Sequence, residues 1–254
     1  MPSSAISIYE SDLAYVHDAG FGRFAQSAAP LVVDALRRAG INDGVIVDLG
    51  CGSGIASCHF CEAGFQVIGV DLSQALIALA RERVPTGKFQ IRSFVDFDFP
   101  PCVAVAGIGE VFNYAADPGN NSTARANMLG RIYEALVPDG VLLFDLAGPN
   151  RAPARGHERT FTQSEDWAVL VEVEADPVRS VLTRHITTFR KNGELFRRSN
   201  ETHRLALVEP NEMLELLKKI GFVATALDSY RALPLPRGLH AYMARKPSGR
   251  DGQA

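Results

Sequence analysis

Val45-Ile46-Val47-Asp48-Leu49-Gly50-Cys51-Gly52-Ser53-Gly54 decides the fold. Its first five residues form a short apolar run carrying one acid, the pattern of a buried parallel strand, and glycines follow at once. Glycines at such a corner let the backbone turn tightly and approach a ligand without side-chain clash. A dinucleotide loop, G-x-G-x-x-G, needs glycine at 55, where this chain has Ile55; a P-loop needs a lysine that does not follow Gly54. What is left is acidic-x-G-x-G-x-G, with Asp48 closing the strand.

Outward from this corner, strands and helices alternate. A helix over 56–63 ends at Gly64, and Gln66–Val70 is the next strand. Ser73 caps a helix over 74–83 that stops before Pro85. Strands at 89–91, 103–108 and 141–146 follow, with a helix over 124–136 between the last two. A helix over 211–220 and strands over 222–227 and 240–246 close the series. Upstream, a helix follows Pro30, and residues 1–26 read as irregular around Tyr9, Tyr15, Phe21 and Phe24. The alternation means an α/β fold with a mostly parallel sheet. Residues 160–208 break it: Trp167, Val169, Val171 and Val173 alternate with their neighbours, and Asn192-Gly193 between two β-rich runs signals a hairpin. A turn there would pair Phe189 with Phe196 and Arg184 with Glu201. The organisation expected is an N-terminal lid (1–29), a main domain (30–150 and 209–246), an antiparallel β insert (151–208) and a flexible tail (247–254).

Composition narrows the function. Of 254 residues, 46% are hydrophobic and 22% charged, as in globular domains. The 26 basic and 29 acidic residues leave a net charge of −3, without the basic excess of a nucleic-acid binder. No apolar run is long enough to span a membrane and no secretory signal opens the chain, so a cytoplasmic protein is expected. Cys51, Cys58, Cys61 and Cys102 make no disulfide framework, and Cys58-His59-Phe60-Cys61 lacks the second pair a zinc site needs.

The second strand also ends in an acid, Asp71, where a carboxylate can accept ribose hydroxyls. With Asp48, Gly50, Gly52 and Gly54 as a first motif, Asp71 as ribose acid, and Val137-Pro138-Asp139-Gly140 before the next strand, the sequence resembles the class I S-adenosylmethionine-dependent methyltransferases. The resemblance covers roughly residues 9–150 and 209–246. It implies a doubly wound, Rossmann-like, mostly parallel seven-stranded sheet, with the antiparallel insert before the last helix and strands. It also implies S-adenosyl-L-methionine as cofactor. Gly50 and Gly52 would approach its methionine part, with Asp48 orienting polar atoms. Leu72 would pack on the adenine, Ser93 and Phe94 would lie at its edge, and Gly109 and Glu110 would lie near the amino group.

The acceptor must be read from what surrounds the strand ends. Gly109-Glu110-Val111-Phe112-Asn113-Tyr114 lacks the prolines of exocyclic-amine DNA methyltransferases, and Cys102 precedes the fourth strand where a cytosine nucleophile would follow it. Nucleic acid and membrane are therefore not expected partners. Asn113 and Tyr114 are placed for acceptor contact. Leu13-Ala14-Tyr15-Val16-His17-Asp18 resembles the segment that folds over the cofactor in small-molecule members, making His17 a candidate base or cofactor contact. His203 shares a strand face with Glu201. The leading reading is methyl transfer to a small-molecule amine, hydroxyl or carboxylate, with the insert forming acceptor pocket or homodimer contact. The competing reading is a non-catalytic S-adenosylmethionine-binding sensor or partner subunit.

Overall fold

A computed structural model describes residues 8–248; the ends of the expected lid and tail lie outside them. Two helices come first, α1 (Ser11–Gly20) and α2 (Arg23–Arg38). The main sheet is built from β1 (Val45–Leu49), β2 (Gln66–Asp71), β3 (Lys88–Ile91), β4 (Cys102–Gly107) and β5 (Leu136–Ala147). Between them run α3 (Ile55–Glu62), α4 (Gln74–Arg83) and α5 (Ser122–Ala135). The insert is β6 (His157–Gln163), β7 (Trp167–Asp176), β8 (Val181–Asn192) and β9 (Leu195–Ala206). After it come α6 (Pro210–Ile220), β10 (Val223–Leu227), the two-residue strands β11 (Ser229–Tyr230) and β12 (Leu233–Pro234), and β13 (Leu239–Arg245).

The seven strands lie in the order β10-β13-β5-β4-β1-β2-β3. All are parallel except β13, which runs antiparallel to both β5 and β10. Both faces are covered, which is why β1 and β4 are apolar almost throughout. Met128, Leu129 and Ile132 of α5 and Leu217 of α6 cover one face. Val32 and Leu36 of α2 and Phe60 of α3 cover the other.

The N-terminal segment differs from expectation. It forms a 10-residue helix, and α2 begins at Arg23 with Pro30 inside it. Proline removes one helical hydrogen bond, but Ala28, Ala29, Val32 and Val33 bury a continuous apolar face around it. The stripe of α1 is only Leu13 and Val16, too short to read as a period, and its helix is held by packing on Trp167, Val169 and Ile186 of the insert.

The insert is a four-stranded antiparallel sheet, β6-β7-β8-β9. Strand β6 gave no signal because every one of its residues is exposed. The hairpin forms one residue later than expected: Asn192 pairs with Leu195, so the turn is Gly193-Glu194. Gly193 takes φ 64° in the first turn position, where the mirror-image turn favours glycine. The register therefore moves by two; Phe189 opposes Arg198, and Arg184 opposes His203. A shift of two keeps every side chain on its expected face. Among the described residues no helix is long and apolar enough to cross a membrane.

Candidate active site

Strand order reverses between β1 and β4, and ligands in open α/β sheets bind at that crevice. Residues 50–54 and 108–113 meet there beneath a cavity of about 450 Å³, roofed by α1 and the inner faces of β6, β7 and β8.

The three glycines of the loop all have left-handed backbones (φ 59°, 53° and 77°), for different reasons. A Cβ on Gly50 would lie 2.6 Å from Val111, and one on Gly54 would lie 3.1 Å from Ala80 in α4. A Cβ on Gly52 would meet nothing within 4 Å; it would enter the cavity, as would one on Gly109. Gly54 thus serves close helix packing and does not line the cavity, which corrects its expected cofactor contact. Asp48 also lies behind the loop. Its carboxylate accepts the Ser57 hydroxyl at 2.6 Å, and burial pushes it up to about 7.

Asp71 does line the cavity, accepting the amides of Gly52 at 3.0 Å and Ser73 at 2.8 Å. Burial raises its carboxyl above the usual range. Leu72 and Phe94 line it too, Phe94 with its ring 5.4 Å from Phe112. Ser93 does not: its hydroxyl donates to Asp117 and accepts from the Val95 amide, so the expected Ser93 contact is withdrawn.

The β4 loop is set by a residue that sequence reasoning missed. Asp145 of β5, fully buried, accepts the amides of Gly109 and Glu110 and the Tyr230 hydroxyl at 2.7 Å. Burial pushes Asp145 up to about 6. Its grip holds Glu110 at φ 61°, and the Glu110 carboxylate then meets Arg151 Nε at 2.9 Å and Arg184 Nη2 at 2.6 Å. Burial alone would raise Glu110; the two guanidiniums hold it below the ordinary glutamate range. Each oxygen of the Glu110 carboxylate thus accepts from one guanidinium.

Of the four acceptor-side candidates, His17 and Tyr114 reach the cavity. Asn113 does not. Its buried amide donates to the carbonyls of Ala147 (2.9 Å) and Ala206 (2.6 Å) and accepts the Ala147 amide, bracing β5 to β9. His203 backs the cavity wall without lining it. Nε2 lies 2.9 Å from Glu201, which accepts the amides of Tyr9 (2.6 Å) and Glu10 (2.9 Å), and the ring packs on Tyr9 and Tyr114. His17 keeps a buried Nδ1 with no hydrogen-bond partner, and burial pulls its imidazole down to about 4. Tyr9, Arg151, Arg184 and Asp145 carry no local motif; only the tertiary fold brings them here.

Fold and site together define a doubly wound α/β protein with a glycine-loop ligand cavity at its switch point. A family model described as "Methyltransferase domain" matches residues 46–140. "Putative methyltransferase YqeM" of Bacillus subtilis (strain 168) is 28% identical over 183 residues, covering 70% of this chain and 73% of that protein. A "Trans-aconitate 2-methyltransferase" of Variovorax paradoxus (strain S110) is 28% identical over 144 residues, covering 54% of this chain and 51% of that one. The structure of S-adenosylmethionine-bound CalS10, an amino pentose methyltransferase from Micromonospora echinaspora, superposes with TM-score 0.73 at 19% identity, over 94% of this chain and 98% of that chain. Residues 46–140 match a methyltransferase domain, and these similarities support a class I S-adenosylmethionine-dependent methyltransferase with S-adenosyl-L-methionine as its cofactor.

Proposed function

We propose that this enzyme methylates a small-molecule acceptor held between the glycine loop and the β insert. The observation that carries the reading is the roof: α1 and the insert close over the glycine loop and leave about 450 Å³, within the range of small-molecule sites. The absence of a basic excess argues in the same direction. In this reading the backbone at Gly50 and Gly52 faces the methionine part of the cofactor. Asp71 accepts the ribose hydroxyls, Leu72 and Phe94 flank the adenine, and the open space over Gly52 and Gly109 admits the ligand that a Cβ would exclude. The bound cofactor supplies a methyl group on a sulfonium. The chain's own residues hold the acceptor in line with it and keep water out. Tyr9 and Tyr114 present a hydrogen-bonded pair of hydroxyls in the cavity lining, and His17 lies nearby with an unpartnered nitrogen.

Two similar proteins bear names that specify acceptors, trans-aconitate and an amino pentose. Both are small molecules, which supports the class; one is an acid and the other an amine. The test is transfer of labelled methyl groups from S-adenosylmethionine to a panel of small amines, alcohols and carboxylic acids, with DNA and RNA alongside. Turnover confined to small acceptors is expected. Labelled nucleic acid, or no turnover on any small acceptor, would overturn the reading.

A further inference from the structure

We propose that Arg184 anchors an acidic group of the acceptor, so that the substrate of this enzyme is an anion carrying a carboxylate. The inference rests on the cavity being the acceptor site. Arg184 stands in the middle of β8, between Val173 of β7 and His203 of β9, and its side chain enters the cavity with 17% exposure. A guanidinium carries five N–H donors. Among the described residues only Glu110 accepts from it, through Nη2 at 2.6 Å. The side chain lines the cavity, and its other donors have no protein acceptor among the described residues.

Charge points the same way. Glu110 gives its second oxygen to Arg151, so one carboxylate sits between two guanidiniums and the group carries a net positive charge. Among the described residues, the further carboxylate behind this wall, Glu201, is taken up by the Tyr9 and Glu10 amides and by His203. Tyr9 and Tyr114 are phenols that burial keeps protonated. Of the other acids lining the cavity, Asp71 caps amides on the glycine-loop side, and Glu158 is exposed on β6. The wall around Arg184 is hydrocarbon, from Val171, Val173, Leu182 and Ile186. A cation against such a wall is costly unless an anion joins it. The planar fork of a guanidinium matches a carboxylate with two parallel hydrogen bonds. An acceptor with a cationic amine at this point would be repelled. Anchoring forms and breaks no covalent bond; the methyl group goes to another atom of the acceptor.

A carboxylate at Arg184 has two sources, the acceptor or the methionine end of the cofactor, and the experiment separates them. Protein loaded with S-adenosylhomocysteine is titrated calorimetrically with glutarate and with glutaramide, its uncharged counterpart. Glutarate should bind about tenfold or more tightly, the worth of a charge-assisted pair. Arg184→Gln should abolish that preference while S-adenosylhomocysteine affinity is kept, which also shows that the variant folds. Equal binding of the two probes to the wild type, or binding of neither, overturns the proposal. So does an Arg184→Gln protein that loses S-adenosylhomocysteine but keeps 5′-methylthioadenosine, because Arg184 would then hold the cofactor's own carboxylate. Should Arg184→Gln bind neither nucleoside, Arg184→Lys, which keeps the charge opposite Glu110 but loses the fork, takes its place and should show a reduced glutarate preference. In the methyl-transfer panel, turnover on neutral or cationic acceptors alone would sink this inference and leave the small-molecule reading standing.

Discussion

The hydroxyls of Tyr9 and Tyr114 lie 2.7 Å apart in the cavity lining, although 105 positions separate them in the chain. Tyr9 is held at both ends of its backbone unit, its amide by Glu201 and its carbonyl by the Ser73 hydroxyl. The phenol pair therefore ties the N-terminal segment to the β4 loop. Tyr9→Phe and Tyr114→Phe should each destabilise the protein, and the double variant should cost less than their sum by about 0.5–1.5 kcal/mol, the net worth of one hydrogen bond. Chemical denaturation of the four proteins measures it. Strict additivity would show that the hydroxyls are not bonded to each other.

Asp71→Asn should weaken S-adenosylmethionine binding by about 1.5–3 kcal/mol, the range for hydrogen bonds to a charged group. The substitution leaves one oxygen for the two amides, of Gly52 and Ser73, that the carboxylate accepts, so one of those bonds is lost together with the ribose contact. Calorimetry that found the affinity unchanged would take Asp71 out of the ribose contact.

Asp48 should make the ligand-free enzyme less stable as the pH rises. Its folded value of about 7 lies above the free value of 3.8, so between them the folded state holds a proton that the unfolded state has released. Stability contributed by the protonated form is present below the lower value and lost as pH rises through the upper one, about 4 kcal/mol in all. Asp48→Asn should therefore raise the melting temperature more at pH 8 than at pH 5. Equal gains at the two pH values would contradict a buried, destabilised carboxylate.

The parallel sheet was legible because its central strands β1 and β4 are apolar almost throughout, and because Asp48 and Asp71 mark two strand ends. The cavity floor came with it: Gly52, Asp71 and Leu72 lie at strand ends and in the turns that follow them, fixed by local spacing. The roof did not. Exposed β6 has no alternation, and α1 has too few apolar positions to show a period before it meets the insert. Asn113 drew notice beside the β4 loop, yet its polarity is used up in bracing two strands. Arg184 and Asp145 look like ordinary strand residues until long-range pairing sets them against Glu110 and its loop.

His17 should show its burial in acid. Its folded value of about 4 lies below the free value of 6.5, so the unfolded state takes up the proton first and stability falls as pH drops through that window. His17→Gln should flatten the loss of stability between pH 6.5 and 4. The same burial disfavours the imidazolium that a general base must become. The pH profile of kcat/KM should accordingly keep its shape in His17→Gln between pH 6 and 8, with the loss taken mainly in cofactor affinity. Disappearance of an acidic limb near pH 6–7 would make His17 the base instead.

Gly20 should control the roof. Helix α1 is fixed to the insert by Asp12, which meets Arg197 Nε at 2.7 Å, and by the Tyr15 hydroxyl on Asp166. It reaches the glycine loop through Asp18 and Arg83, 2.8 Å apart, with Arg83 also donating to the Ser53 carbonyl. At the end of α1, a Cβ on Gly20 would lie 2.7 Å from two ring atoms of Trp167, closer than real contacts come. Trp167 is 5% exposed and has little room to yield, so Gly20→Val should lift the helix end from the insert. Trp167 is the sole tryptophan of the chain, and its emission reports the event directly, shifting to the red as water enters. Cofactor affinity should fall several-fold and turnover further, because the roof keeps water from the transferring methyl group. Saturating S-adenosylmethionine should restore part of the blue emission if ligand and roof close together. Unchanged emission with full turnover would show that α1 plays no part in closing the site.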